Sequence, residues 1–220
     1  MTDDKYGQSK AVDVLNARAL NAKREYVHEL VNRGDDQSLS LLVECLCDES
    51  WFLRDLAEQG FPKLGDRGAA ALLPLLGEGL WFTRTSAARV LGRMSYRPAV
   101  PVLLKLTEDA NRTVADAARD ALVAIGHQRG GVSLAHAIYR LPPDARRNRV
   151  DEIMSRDRAL GDRIDRLMRS DDLMNASNID SLSDDSQTVR ATEEGVEWEV
   201  LTGPPPRSAT EEEGEGRNRS

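Results

Sequence analysis

The chain has 220 residues, of which 40% are hydrophobic and only 5% aromatic, and its formal net charge is −7. This length allows one domain with a sizeable core plus an appendage, and the shortage of aromatic residues disfavours a β-sandwich. From Ser170 onward the sequence has 13 acidic and 4 basic residues, so residues 1–169 carry a net charge of +2. Because nucleic-acid binding requires a concentrated basic face, we expect no nucleic-acid partner.

The N-terminal residues are acidic where a secretory leader would be positively charged, and no apolar run follows them. The longest apolar stretch, residues 69–76, is too short to span a bilayer. Cys45 and Cys47 would fall on different faces of a helix, so we expect no disulfide between them. These features predict a cytoplasmic protein without a membrane segment.

In chain order, residues 1–9 predict a flexible N-terminus, residues 10–32 a long first helix and residues 36–46 its partner. From residue 53 onward one pattern recurs about every 30 residues, with apolar positions at helical spacings of 4, 4 and 3. The aligned positions of the three copies are Leu53, Arg54, Ala57, Phe61, Leu64 and Gly65; Thr83, Arg84, Ala87, Leu91, Met94 and Ser95; and Val114, Ala115, Ala118, Leu122, Ile125 and Gly126.

A short break and a second apolar segment follow each copy, at residues 69–76, 99–106 and 132–139. One helix pair cannot bury its apolar stripe alone, whereas stacked pairs share a continuous interior. The pattern Arg-x-x-Ala-Ala-x-x-Leu-Gly, followed by Ala-Val-Pro-x-Leu-x-x-Leu, is clearest at residues 83–106. It resembles HEAT repeats, in particular the short bacterial variety also found in phycobilin lyases. The resemblance implies an all-α fold, a right-handed α-solenoid of about four helix pairs over residues 10–141.

The apolar stripe continues through residues 142–169, which predicts one or two capping helices with a break near Gly161. The stretch from Arg140 to Arg169 contains nine arginines and six acids. The favoured interpretation is a solvated helix face with paired charges, such as Asp165 with Arg169. The alternative is a basic surface for an anionic partner.

Residues 170–220 are polar and acidic, which predicts a disordered tail. One part of it, residues 195–203, has strand-like alternation around Trp198 and predicts a docking motif. A further hypothesis is that the acidic tail folds back onto residues 142–169 as an electrostatic latch.

Two aromatic pairs, Trp51-Phe52 and Trp81-Phe82, occupy equivalent positions in consecutive copies, which predicts that they are neighbours. We favour packing between repeats as their role, and the alternative is an aromatic edge that binds a partner.

Two arginines, Arg54 and Arg84, also recur in register. The resemblance implies that each pairs with an acid in a neighbouring turn, and Asp48, Asp109 and Glu108 are available for such a structural ladder.

The sequence contains no nucleophile elbow, phosphate-binding loop or zinc-ligand spacing, so we expect no catalytic residue, cofactor or metal. The favoured hypothesis is a non-enzymatic scaffold or adaptor for a protein partner of unknown identity. The partner would bind the second-helix surface, where Lys105 and His136 lie, with the acidic tail as a second contact. The alternative implied by the resemblance is a phycobilin-lyase-like chromophore-binding protein or lyase subunit.

Overall fold

The computed structural model describes residues 19–170, 187–192 and 195–200 of the chain. The chain divides into two compact units, residues 1–184 and 185–220, and each is described by itself. Predictions for residues outside the described ranges are not addressed by the structure. They include the flexible N-terminus at 1–9, the beginning of the first helix and most of the predicted disordered tail.

The described part of the first unit, residues 19–170, is built from helices, which confirms the predicted helical class for this unit. Its α-helices are α1 (Leu20–Arg33), α2 (Asp36–Cys47), α3 (Trp51–Gly60), α4 (Gly65–Leu72), α5 (Leu75–Glu78), α6 (Trp81–Arg93), α7 (Val100–Leu106), α8 (Arg112–Ile125), α9 (Gly131–Tyr139), α10 (Pro143–Arg156) and α11 (Arg158–Met168). Short 3-10 segments at Phe61–Leu64 and Arg97–Ala99 and a π-helical turn at Gly126–Gly130 connect some of them.

These helices are arranged as consecutive pairs that form two rows. The first-helix row consists of α1, α3, α6, α8 and α10, and each member contacts the next. The second-helix row consists of α2, α4 with α5, α7, α9 and α11, and its neighbours also contact one another. The segment predicted as a cap, residues 142–169, is therefore a further helix pair that extends both rows.

The repeated apolar positions form the core between the rows. Leu53 and Ala57 of α3 are fully buried, and so are Leu91 of α6 and Ala118 of α8. A Cβ placed on Gly92 would lie 2.7 Å from the Cα of Ala121, so the absence of a side chain lets α6 and α8 pack backbone against backbone.

The second apolar segment of the first copy is divided at a proline. Residues 69–76 were predicted as one segment, but α4 ends at Leu72 and α5 begins at Leu75, with Pro74 between them. Proline has no backbone N–H and clashes with the preceding helical turn, so the helix cannot continue unbroken through this position.

The predicted break near Gly161 is wrong, because the chain bends at Asp157 instead. Asp157 has an extended backbone, and its carboxylate accepts a hydrogen bond from the backbone N–H of Leu160 at 2.8 Å. This bond, together with His127 at 2.8 Å, holds the pKa of the Asp157 carboxyl below its ordinary value. Gly161 lies inside α11, where its missing side chain leaves room for Met154 of α10.

The second unit contains an antiparallel pair of strands, β1 (Gln187–Thr192) and β2 (Gly195–Val200). Val189 lies opposite Trp198 in the register. The strand-like alternation predicted at residues 195–203 is thus a strand over 195–200, inside a segment predicted to be disordered. Its partner strand contains two threonines and one valine, residues that favour strands.

The close approach of α6 and α8 predicts that Gly92→Ala destabilises the fold. The added methyl group would have to push the Ala121 backbone away, so we expect the free energy of unfolding to fall by about 1–3 kcal/mol. Urea denaturation measures the change.

Gly77→Ala is the matched control, because a Cβ at Gly77 meets nothing within 4 Å. It should be neutral or stabilise the protein by up to about 1 kcal/mol. Equal destabilisation by both substitutions would contradict the contact with Ala121 as the reason for glycine at position 92.

Candidate functional site

The two aromatic pairs have the same geometry in consecutive repeats. The rings of Trp51 and Phe52 meet edge to face with centroids 5.8 Å apart, and those of Trp81 and Phe82 do the same at 5.8 Å. Trp51, Trp81 and Phe82 line one concave surface, which shows that the two repeats bring their aromatic residues together.

The tryptophans of these pairs are more exposed than the phenylalanines, so packing between repeats, the favoured interpretation, describes the phenylalanines better than the indoles. Trp51 is 72% exposed and Trp81 is 49% exposed, whereas Phe52 and Phe82 are half-buried. Each phenylalanine therefore anchors its pair to the fold, and each indole projects from it.

Exposed large hydrophobic side chains in the described part of the chain are concentrated at one kind of position. All of them lie at the N-terminal ends of helices in the first-helix row, and they are Leu20, Trp51, Leu80 and Trp81. We call Trp51, Leu80 and Trp81 the aromatic ridge, and Leu20 occupies the corresponding end of α1.

Charged groups of both signs surround the ridge. The adjoining cavity has a volume of about 370 Å³ and includes Arg54, Asp55, Glu58 and Arg89 in its lining. Aromatic rings and charged groups of both signs therefore line one cavity, and protein-binding sites also combine apolar with charged groups.

The two arginines of the predicted ladder use different partners. Arg84 forms a two-pronged ion pair with Asp109 in the next inter-repeat turn, with N–O distances of 3.0 and 3.1 Å. Arg54 donates to the backbone carbonyls of Asp48 and Glu49 at 2.7 and 2.8 Å. Its guanidinium also lies 4.5 Å from the ring centroid of Phe82, a cation–π contact between one repeat and the next.

Two other predicted site residues, Lys105 and His136, lie at a different cavity. This α7–α9 cavity has a volume of about 440 Å³ and is lined by Pro101, Leu104, Lys105, Glu108, His136, Ala137, Arg140, Leu141, Ala145 and Arg149. None of these residues lines the cavity beside the ridge, so the predicted sites form two separate surfaces. Trp198 lies in β2 of the second unit.

An ion-pair network that the sequence analysis did not identify joins α10 to the preceding repeat. Arg149 is buried and pairs with both Glu108 and Glu152, and Glu152 also pairs with Arg119 at 3.1 Å. Glu108 and Arg149 are 41 residues apart in the chain. Because local periodicity carries no information about such a distant pair, no sequence signal predicts it.

The described residues contain no group of three or more histidine, cysteine, aspartate or glutamate side chains positioned to hold a metal ion. Across the same residues, every helix is too short or too polar to cross a membrane.

The fold and surfaces of residues 19–170 define a class: a helical unit of paired, repeating helices with an exposed aromatic ridge. Residues 83–109, which include most of α6, all of α7 and Asp109, match the family model described as PBS lyase HEAT-like repeat. This segment contains the clearest copy of the sequence pattern, so the resemblance to HEAT-like repeats is confirmed there. A comparison with curated proteins finds no match.

The cysteines are free thiols on the second-helix row, where Cys45 is buried and Cys47 half-buried. Burial, with a smaller contribution from the charge of Asp48, raises the pKa of Cys45 to about 12. Burial also raises the pKa of Cys47, although Thr83 opposes the shift by hydrogen bonding to it. Both groups therefore remain protonated thiols at neutral pH.

We expect both cysteines to react slowly with iodoacetamide in the folded protein, because the thiolate is the reactive form. At about pH 8, alkylation should be at least tenfold slower than in guanidinium-unfolded protein, and mass spectrometry of the labelled peptides measures each site. Equal rates at Cys45 in the folded and unfolded protein would contradict its burial.

Proposed function

We propose that the protein is a non-enzymatic scaffold of the cytoplasm that binds a protein partner through its helical repeats. In this proposal the rows form a right-handed HEAT-like superhelix, and the aromatic ridge is the principal contact. The observation that carries the proposal is the exposure of Trp51 and Trp81 at equivalent positions of consecutive repeats.

The physical argument is that an exposed indole contributes little to folding but much to association. Trp is among the residues that most often dominate binding energy, and removing such a residue typically costs about 2 kcal/mol or more. Half-buried Phe52 and Phe82 hold the two indoles in one geometry, which reduces the entropy lost on binding. Arg54 further ties the first pair's helix to Phe82.

The acidic segment at residues 170–220 is proposed as a second contact for the same partner. With 13 acidic and 4 basic residues, it complements a basic surface on that partner. Two linked contacts raise the effective concentration of each, so neither has to be strong.

The aromatic ridge predicts that Trp51→Ala combined with Trp81→Ala weakens partner capture without unfolding the protein. We expect specific partners to be recovered from a lysate of the source organism at least tenfold less efficiently than with the wild-type protein, since tenfold corresponds to about 1.4 kcal/mol. Quantitative mass spectrometry of the captured proteins and thermal unfolding of the bait measure the two effects.

Lys63→Ala provides the control, because Lys63 is an exposed side chain just beyond the opposite end of α3 from Trp51. It should capture the same proteins as the wild type. The scaffold proposal is abandoned if the wild-type protein captures nothing that the double variant fails to capture. A protein ending at residue 169, tested in parallel, reports the contribution of the tail.

The family match supports a second candidate, a phycobilin-lyase-like role, because its description names PBS lyases. The two candidates differ in whether a bilin binds. A bilin held in one conformation by a protein has a shifted visible absorbance spectrum. Because the scaffold proposal includes no bilin site, we expect equimolar protein to leave the spectrum unchanged. A shifted spectrum that persists through gel filtration would favour the second candidate over the scaffold.

A further inference from the structure

The α7–α9 cavity combines an apolar interior with a cationic rim. Leu104, Ala137 and Leu141 contribute apolar surface, whereas Lys105 and Arg140 are exposed at its edge. Its volume of about 440 Å³ lies toward the small end of the range of about 300–1,000 Å³ for ligand sites. The space therefore suits one or two large side chains better than an extended cofactor.

The charges at this cavity do not balance. Glu108 is neutralised by its ion pair with Arg149. Lys105 and Arg140 have no ion pair with any of the described residues, so two positive charges remain beside the apolar surface. The remaining ionisable group of the lining is His136. The occupant that complements this arrangement carries negative charge next to an apolar group.

The walls of the cavity are held in place before anything binds. Arg149 is 8% exposed and connects the end of α7 to α10 through Glu108, while Glu152 connects it to Arg119 of α8. On the neighbouring side, Arg146 lies 4.3 Å from the ring centroid of Tyr139 and donates to the Tyr139 backbone carbonyl. A preformed site loses less entropy on binding than one that must order itself.

We propose that the α7–α9 cavity binds a short acidic peptide segment of a partner protein. A large apolar side chain of that segment enters between α7 and α9, and carboxylates beside it pair with Lys105 and Arg140. This site shares no lining residue with the cavity beside the aromatic ridge and does not depend on the ridge's function.

Fluorescence anisotropy tests the proposal with a fluorescein-labelled heptapeptide in which a central tryptophan is flanked by glutamates. The full-length protein should bind it and should bind the glutamine-for-glutamate peptide at least fivefold more weakly. The measurement is repeated with the Trp198→Ser variant, because residues 196–200 of the chain also have a tryptophan flanked by glutamates and would compete with the peptide. Raising the salt concentration from about 0.05 M to about 0.5 M should weaken binding, because the rim charges are exposed.

Two variants locate the binding site. Lys105→Glu combined with Arg140→Glu should reduce affinity at least tenfold while preserving the fold, since both side chains are exposed. Ala137→Phe should block the cavity without changing its charge. Arg158→Glu, a charge reversal at an exposed residue of α11 outside the lining, should leave binding unchanged.

The proposal is overturned if the glutamate and glutamine peptides bind equally, or if neither peptide binds to the wild-type protein or to the Trp198→Ser variant. It is overturned equally if the cavity variants bind the peptide as tightly as the wild type does. It is also overturned if octanoate displaces the peptide at equal concentration, because a small apolar carboxylate would then be the better occupant. Unchanged partner capture by the ridge variant would end the ridge proposal and leave this peptide result unaffected, so the two proposals fail independently.

Discussion

The contact between α6 and α8 is the constraint on which the rest of the helical unit depends. α6 has 13 residues, a length at which an isolated helix is only marginally stable in water. It is stabilised because its apolar side chains are buried between neighbouring helices, and Gly92 allows the next helix of the row to reach the Ala121 backbone. A single helix pair of such a stack is not stable by itself, which is why the same helix pattern has to recur along the chain.

Polar interactions then hold the turns between repeats in position. Arg84 and Asp109 form an ion pair across consecutive repeats, but Gly79 occupies the position 30 residues before Asp109. Arg54 therefore meets no carboxylate at that position of the following turn, and its guanidinium lies over Phe82 instead. The same residue in the same register is thus held by an ion pair in one repeat and by an aromatic ring in the other.

The sequence predicts contacts between residues that are close together in the chain better than contacts between residues that are far apart in it. Helical spacing around Leu53, Ala57 and Phe61 predicts the buried face of α3, because side chains three and four apart share one side of a helix. The break at Asp157 depends on a local hydrogen bond, and glycine at 161 is a misleading signal because it serves packing instead. The pairing of Arg149 with Glu108 depends on the complete fold, so it cannot be predicted from either neighbourhood.

The two candidate sites have different physical origins in this arrangement. The apolar side chains at the repeated positions are buried in contacts between helices. An apolar side chain at any other position stays exposed to water unless a partner covers it. Trp51 and Trp81 are the first residues of α3 and α6 and precede the buried stripe of these helices, where they keep 72% and 49% of their surface exposed. The α7–α9 cavity arises differently, from a gap between two short helices, and Arg149 on its lining pairs with Glu108 just after α7. In the two proposals, a partner that buries either surface recovers apolar contact that stacking alone leaves exposed to water.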